Sequence, residues 1–111
     1  CDMSNPIKLT FQFADGTSHD ASVTEASISQ AICYKYGWSI APIVAGLDDI
    51  PTYTIEVSNN NVDFFPYDLQ TEDAVIGQAF DDIHLDWLYI RINYNAQTNT
   101  TGTVEFPLIL K

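Results

Sequence analysis

Ile7, Leu9, Phe11 and Phe13 alternate with Lys8, Thr10, Gln12 and Ala14. A period of two puts the four large side chains on one face of an extended chain, and Asp15-Gly16 closes the run as a turn, which predicts a first strand. The alternation returns in Tyr53, Ile55 and Val57 against Thr54, Glu56 and Ser58. It returns again in Leu88, Ile90, Ile92 and Tyr94 against Trp87, Tyr89, Arg91 and Asn93, and in Val104, Phe106, Leu108 and Leu110. That last run, Thr103 to Leu110, is expected to pair with Trp87 to Tyr94 across a turn at Asn95 to Gly102.

Tyr36 to Ala45 reads as a buried strand with Trp38, Ile40, Pro42 and Val44 on one face. Pro42 has no N–H to give a ladder, so it belongs at an edge or a bulge. Asn59-Asn60-Asn61 reads as a turn, because asparagine tolerates left-handed backbone and can cap nearby amides. A short hairpin over Val62 to Tyr67 follows. Ala74 to Phe80 is a weaker strand between a polar loop and the acidic connector Asp81 to Asp86.

The stretch from Ser18 to Cys33 supports two readings. Ser22 with Glu25 could form a helix capping box ahead of Ala26, Ile28, Ala31 and Ile32. Against it stand five Ser and Thr side chains, which compete for backbone hydrogen bonds within a helix. The preferred reading is a loop followed by a strand around Ser27 to Cys33.

Composition supports strand as the default: Ile, Val and Thr make up 28 of 111 residues, and aromatics are 13%. The pattern predicts one all-β domain over residues 1–111, an antiparallel two-sheet sandwich of jelly-roll type with seven to eight strands. A hydrophobic fraction of 46% with 17% charged residues is that of a globular chain and excludes an acidic disordered one. No apolar run reaches the eighteen or so residues of a membrane span.

Fifteen acidic residues against four basic ones leave a net charge of -11. That field repels phosphates, so neither nucleic acid nor an anionic membrane is an expected partner. Cys1 and Cys33 allow at most one disulfide, and Cys33 is expected to be a buried free thiol. Cys1 is read as a trimmed or leftover end, with Met3 a candidate start, in preference to a lipidation site.

Several segments carry a family resemblance. Tyr36-Gly37-Trp38-Ser39-Ile40 runs on to Ala45-Gly46; Tyr53 to Asn60 precedes the aromatic pair Phe64-Phe65. Trp87 to Tyr94 and Thr101-Gly102-Thr103-Val104 lead to a closing Lys111. From Ile28 to Lys111 the chain resembles small β-sandwich virion proteins of tailed bacteriophages. It departs from them in having Asn59-Asn60-Asn61 where Asn-Asp-Gly is usual, and Phe65 where Trp is common. The resemblance implies a non-enzymatic capsid decoration, head-fibre or neck/tail accessory subunit, located in the virion. Its partners would be other virion proteins and copies of itself in a symmetric assembly, with no cofactor.

Candidate chemistry is sparse. Trp87, Tyr89 and Arg91 share a strand face and, with Trp38, form a candidate surface for a partner or a glycan, so a carbohydrate-binding module is the alternative reading. Arg91 is expected to make a cation–π contact or a bidentate salt bridge. Asp81, Asp82, His84 and Asp86 are weak candidates for a divalent ion, with no EF-hand spacing, and His19, His84, Cys1 and Cys33 lack paired zinc spacing. Asp48-Asp49 are too close in sequence to straddle a glycosidic bond, and no nucleophile elbow is present. Asn99-Thr100-Thr101 matches a glycosylation sequon.

Overall fold

The two longest alternating runs become the two longest strands, lying side by side at the centre of the largest sheet. In the computed structural model, which describes residues 7–32, 37–67, 72–74, 80–82 and 87–110, these are β7 (Thr52–Ser58) and β11 (Tyr89–Asn95). They pair antiparallel from Thr52 opposite Asn95 to Ser58 opposite Tyr89. Beyond β11 lie β3 (Glu25–Ala26) and β4 (Gln30–Ala31); beyond β7 lie β8 (Phe65–Pro66) and β9 (Glu72–Asp73).

A second sheet has the order β1 (Ile7–Thr10), β13 (Pro107–Leu110), β5 (Trp38–Ile40), β10 (Phe80–Asp82). A third has β2 (His19–Asp20), β12 (Thr103–Glu105) and β6 (Ile43–Ala45). Every strand pair among the described residues is antiparallel. The chain is all-β, as the alternation predicted, and no α-helix is found among the described residues.

The strands are shorter and more numerous than expected, in part because two predicted strands are each broken once. The run over 38–45 pairs with 103–110 in a single register, from Trp38 opposite Leu110 to Ala45 opposite Thr103. This ribbon bends at Ala41-Pro42 and Phe106-Pro107, where a proline on each side removes a ladder donor, so one ribbon serves two sheets. Pro42 is buried at the corner.

The expected pairing of Thr103 to Leu110 with Trp87 to Tyr94 is therefore incorrect. Residues 103–110 take 38–45 and β1 or β2 as neighbours, and residues 96–102 cross between sheets instead of closing a hairpin.

The stretch that admitted a helix holds two short strands, β3 and β4, with an interruption between them. Ser27 is buried there; its amide donates to the Ile92 carbonyl at 2.7 Å and its Oγ accepts from the Ile92 amide at 2.9 Å. A serine hydroxyl thus stands in for a backbone carbonyl at the sheet edge, and Thr24 Oγ1 accepts from the Ala96 amide in the same way.

The core joins the inward faces of the sheets. Trp38, Ile40, Leu108 and Leu110 from one sheet and Ile55, Val57, Ile90 and Ile92 from the largest are all buried. At the bend, Phe106 meets Tyr53 with ring centroids 5.0 Å apart and Tyr94 at 6.0 Å. Aromatics fill the corner where the ribbon changes sheet.

Candidate functional site

The register of β7 and β11 gives the sandwich two ends of different chemistry. At the Ser58 and Tyr89 end, the loop 59–63 is shaped by its own side chains. Asn61 adopts φ 60°, and Asn60 Oδ1 accepts from the Val62 and Asp63 amides at 2.9 and 2.8 Å. Asn59 Oδ1 accepts from the Leu88 amide, and Ser29 Oγ donates to Asn61 Oδ1. The expected asparagine turn forms, and these bonds place Val62, Leu88 and the Ile28-Ser29 segment around one rim. Val62 is 77% exposed, Phe65 59%, Ile28 55% and Leu88 46%.

At the opposite end, where Thr52 faces Asn95, two loops are zipped together by polar side chains. Asn99 is buried; its Oδ1 accepts from the Asp48 and Asp49 amides and its Nδ2 donates to the Ala96 carbonyl. In return Asp48 accepts from the amide and hydroxyl of Thr100, and Asp49 from those of Thr98. Those hydroxyls, and then the amides, hold both carboxyls below the ordinary range. A depression of about 420 Å³ lined by Val44, Leu47, Asp48, Asp49, Ile50 and Ala74 adjoins this zipper. With its Nδ2 occupied and the residue 6% exposed, Asn99 is a structural residue and no glycan acceptor.

Beside the same end, the turn after Phe13 gathers three ligand-bearing groups. Phe13 and Gly16 exchange backbone hydrogen bonds, which doubles the chain back and brings His19 next to Asp15 and Glu25. His19 Nδ1 lies 2.7 Å from Asp15 Oδ1 and 4.0 Å from Glu25 Oε2, while Nε2 lies 2.7 Å from the Val23 carbonyl. The imidazole is buried, stacked on Phe13 at 4.1 Å and set edge-on to Tyr94 at 5.4 Å. Partial burial pushes the Asp15 carboxyl up, but the Asp20 amide and the His19 ring outweigh it and bring it below its usual value. Sequence reading passed over this cluster because His19 has no paired ligand at a fixed spacing. The turn residues Asp15-Gly16 were the only sign that the chain returns on itself here.

The four sequence candidates for partner or glycan contact are not gathered into one surface. Trp38 is 3% exposed and sits in the core, so its assignment as a contact residue is incorrect: it faces inward on β5. Trp87 is half-buried against the core. Tyr89 and Arg91 do share the outer face of β11. Arg91 is committed within the molecule, its Nε donating to Glu56 Oε1 at 2.7 Å and its guanidinium lying 3.9 Å from the Phe64 ring centroid. Of the two contacts expected as alternatives, the cation–π contact is made, with Phe64 supplying the ring, and Glu56 is engaged through Nε instead of through a bidentate fork.

Of the weak metal candidates, His84 and Asp86 lie outside the described residues, as do Cys1 and Cys33, and Asp81 and Asp82 are described only as backbone of β10.

No known protein family matches the chain, and no curated protein matches it. Among solved structures, the crystal structure of SPBc2 prophage-derived protein YomS is similar in fold, with a TM-score of 0.64 at 8% identity over 100% of this chain and 99% of that one.

Proposed function

We propose that the chain is a non-enzymatic structural subunit of a tailed-bacteriophage virion, a capsid decoration, head-fibre or neck/tail accessory protein that works by packing against neighbouring virion proteins. The observation that carries this reading is the rim at the Ser58 and Tyr89 end, where Ile28, Val62, Phe65 and Leu88 stand exposed on segments gathered around the loop 59–63, which is braced by its own hydrogen bonds. A preorganised apolar rim loses little conformational entropy when a partner covers it, and it suits a protein interface better than a substrate site. The likeness to a prophage-derived protein over the whole chain supports the same reading through the fold. The acidic exterior favours a partner with a basic face.

The glycan-binding alternative is the weaker of the two. Trp38 is in the core, Trp87 packs against it, and Arg91 lies under Phe64. No flat row of exposed rings stands among the four candidates for a sugar to stack on.

The test is co-purification with phage particles. Wild-type protein is expected in gradient-purified virions at a fixed copy number, and the variant Val62→Asp with Leu88→Asp is expected to fold normally yet be missing from them. Particles lacking the wild-type protein would overturn the proposal, as would a tryptophan-fluorescence response to host polysaccharide.

A further inference from the structure

We propose that Asp15, His19 and Glu25 form a binding site for a single divalent transition-metal ion of the zinc class. Their ligand atoms lie within 4.8 Å of one another. His19 Nε2 lies 2.7 Å from the Val23 carbonyl. A carbonyl oxygen only accepts, so Nε2 carries hydrogen, and Nδ1 is left facing Asp15 Oδ1 and Glu25 Oε2. Two carboxylates and a ring nitrogen converge on a point that a cation alone satisfies, either a second ring proton or a metal ion.

Backbone groups hold His19 and Asp15 from behind, and one also reaches Glu25 on the oxygen that faces the ring. The Val23 carbonyl orients His19, the Asp20 amide donates to Asp15 Oδ2 at 2.8 Å, and the Ala14 amide donates to Glu25 Oε2 at 2.9 Å. Such outer hydrogen bonds fix the orientation and tautomer of metal ligands.

Tetrahedral zinc, with bonds of about 2.0–2.2 Å to nitrogen and oxygen, sets its ligand atoms a little over 3 Å apart. To reach that spacing Asp15 must recede from Nδ1 by about half an ångström and Glu25 advance by somewhat less than one, and the two carboxylates, within 4.8 Å of one another, must settle to the same separation. Both carboxylates have the freedom, at 41% and 30% side-chain exposure, while His19 at 1% stays fixed. An imidazole nitrogen with two carboxylates favours zinc-class ions over calcium or magnesium, which take oxygen ligands in larger number. The bound ion would pin the turn after Phe13 to β3.

The experiment adds Zn²⁺, and separately Co²⁺ or Ca²⁺, to the purified chain. At Zn²⁺ on the order of 100 µM the melting temperature is expected to rise by roughly 5 °C or more, and Ca²⁺ is expected to leave it unchanged. One equivalent of Co²⁺ is expected to give visible d–d bands without thiolate charge-transfer absorption. Asp15→Asn and Glu25→Gln are expected to abolish both responses, and the distant Asp48→Asn to keep them. Should a variant fail to fold, the ¹⁵N shift of His19 Nδ1 in the wild-type protein decides, since only coordination moves it on adding Zn²⁺. A flat melting temperature, an unmoved Nδ1 resonance, responses that survive both variants, or thiolate bands placing the ion on a cysteine would each overturn the site.

Discussion

Gly102 has the tightest surroundings of any described glycine. Its φ is +103°, and an added Cβ would stand 2.7 Å from the Ala45 carbonyl oxygen and 2.8 Å from Leu47 Cδ2. Gly102→Ala combines left-handed strain with a backbone clash and is expected to cost about 2–4 kcal/mol in urea denaturation, whereas Gly16→Ala meets strain without a clash and costs less. Asn99 offers a second test at this scale. Asn99→Ala strands the Asp48 and Asp49 amides, while the Ala96 carbonyl keeps the backbone amide of residue 99, with an expected loss of about 2–3 kcal/mol. Tyr94 gives an alkaline signature. Burial, with the charge of Asp20 behind it, pushes its phenol from 10.0 up to about 12. The unfolded tyrosine ionises near 10 and the folded one near 12, so its stabilising contribution is intact below the first value and is lost as pH rises through the second. Tyr94→Phe is expected to flatten that slope in pH-dependent melting curves while sacrificing the hydrogen bond from its hydroxyl to the Ala21 carbonyl.

At the scale of elements, the edge formed by β3 and β4 depends on Ser27. Ser27→Ala leaves the buried Ile92 amide without an acceptor and is expected to cost about 1–3 kcal/mol, against almost nothing for the more exposed Ser29→Ala. The elements that sequence made legible are those whose faces differ in polarity. Ile90, Ile92 and Tyr94 are buried while Asn93 and Asn95 are exposed, and Val104 to Leu110 alternate as their pattern demands. Pairing partners were illegible for a physical reason. Alternation says which face is inward but nothing about which neighbour lies alongside, and Asn95 to Gly102 has the composition of a turn whether it closes a hairpin or crosses between layers. Trp38 was misplaced as a contact residue because a large aromatic on a strand suits a core and a binding face equally. The cluster at Asp15, His19 and Glu25 stayed hidden because a tight turn, not a spacing, brings it together.

On the scale of the whole molecule, net charge sets the colloidal behaviour. At neutral pH a charge of -11 keeps copies apart, and this repulsion vanishes near the sequence pI of 4.1. Light scattering across a pH series is expected to show self-association peaking close to that value, and added salt at pH 7 is expected to move the protein the same way. The arrangement of β1 and β13 has a mechanical consequence as well. Ile7 lies opposite Leu110, so the two outer ends of this pair sit side by side at one corner of the sandwich. Tension applied through residues 7 and 110 would open the ladder one rung at a time, like a zip, instead of shearing all its bonds together. The fold would therefore yield at low force when pulled by those handles, and anything that has to hold it under load would do better to clasp it by its faces.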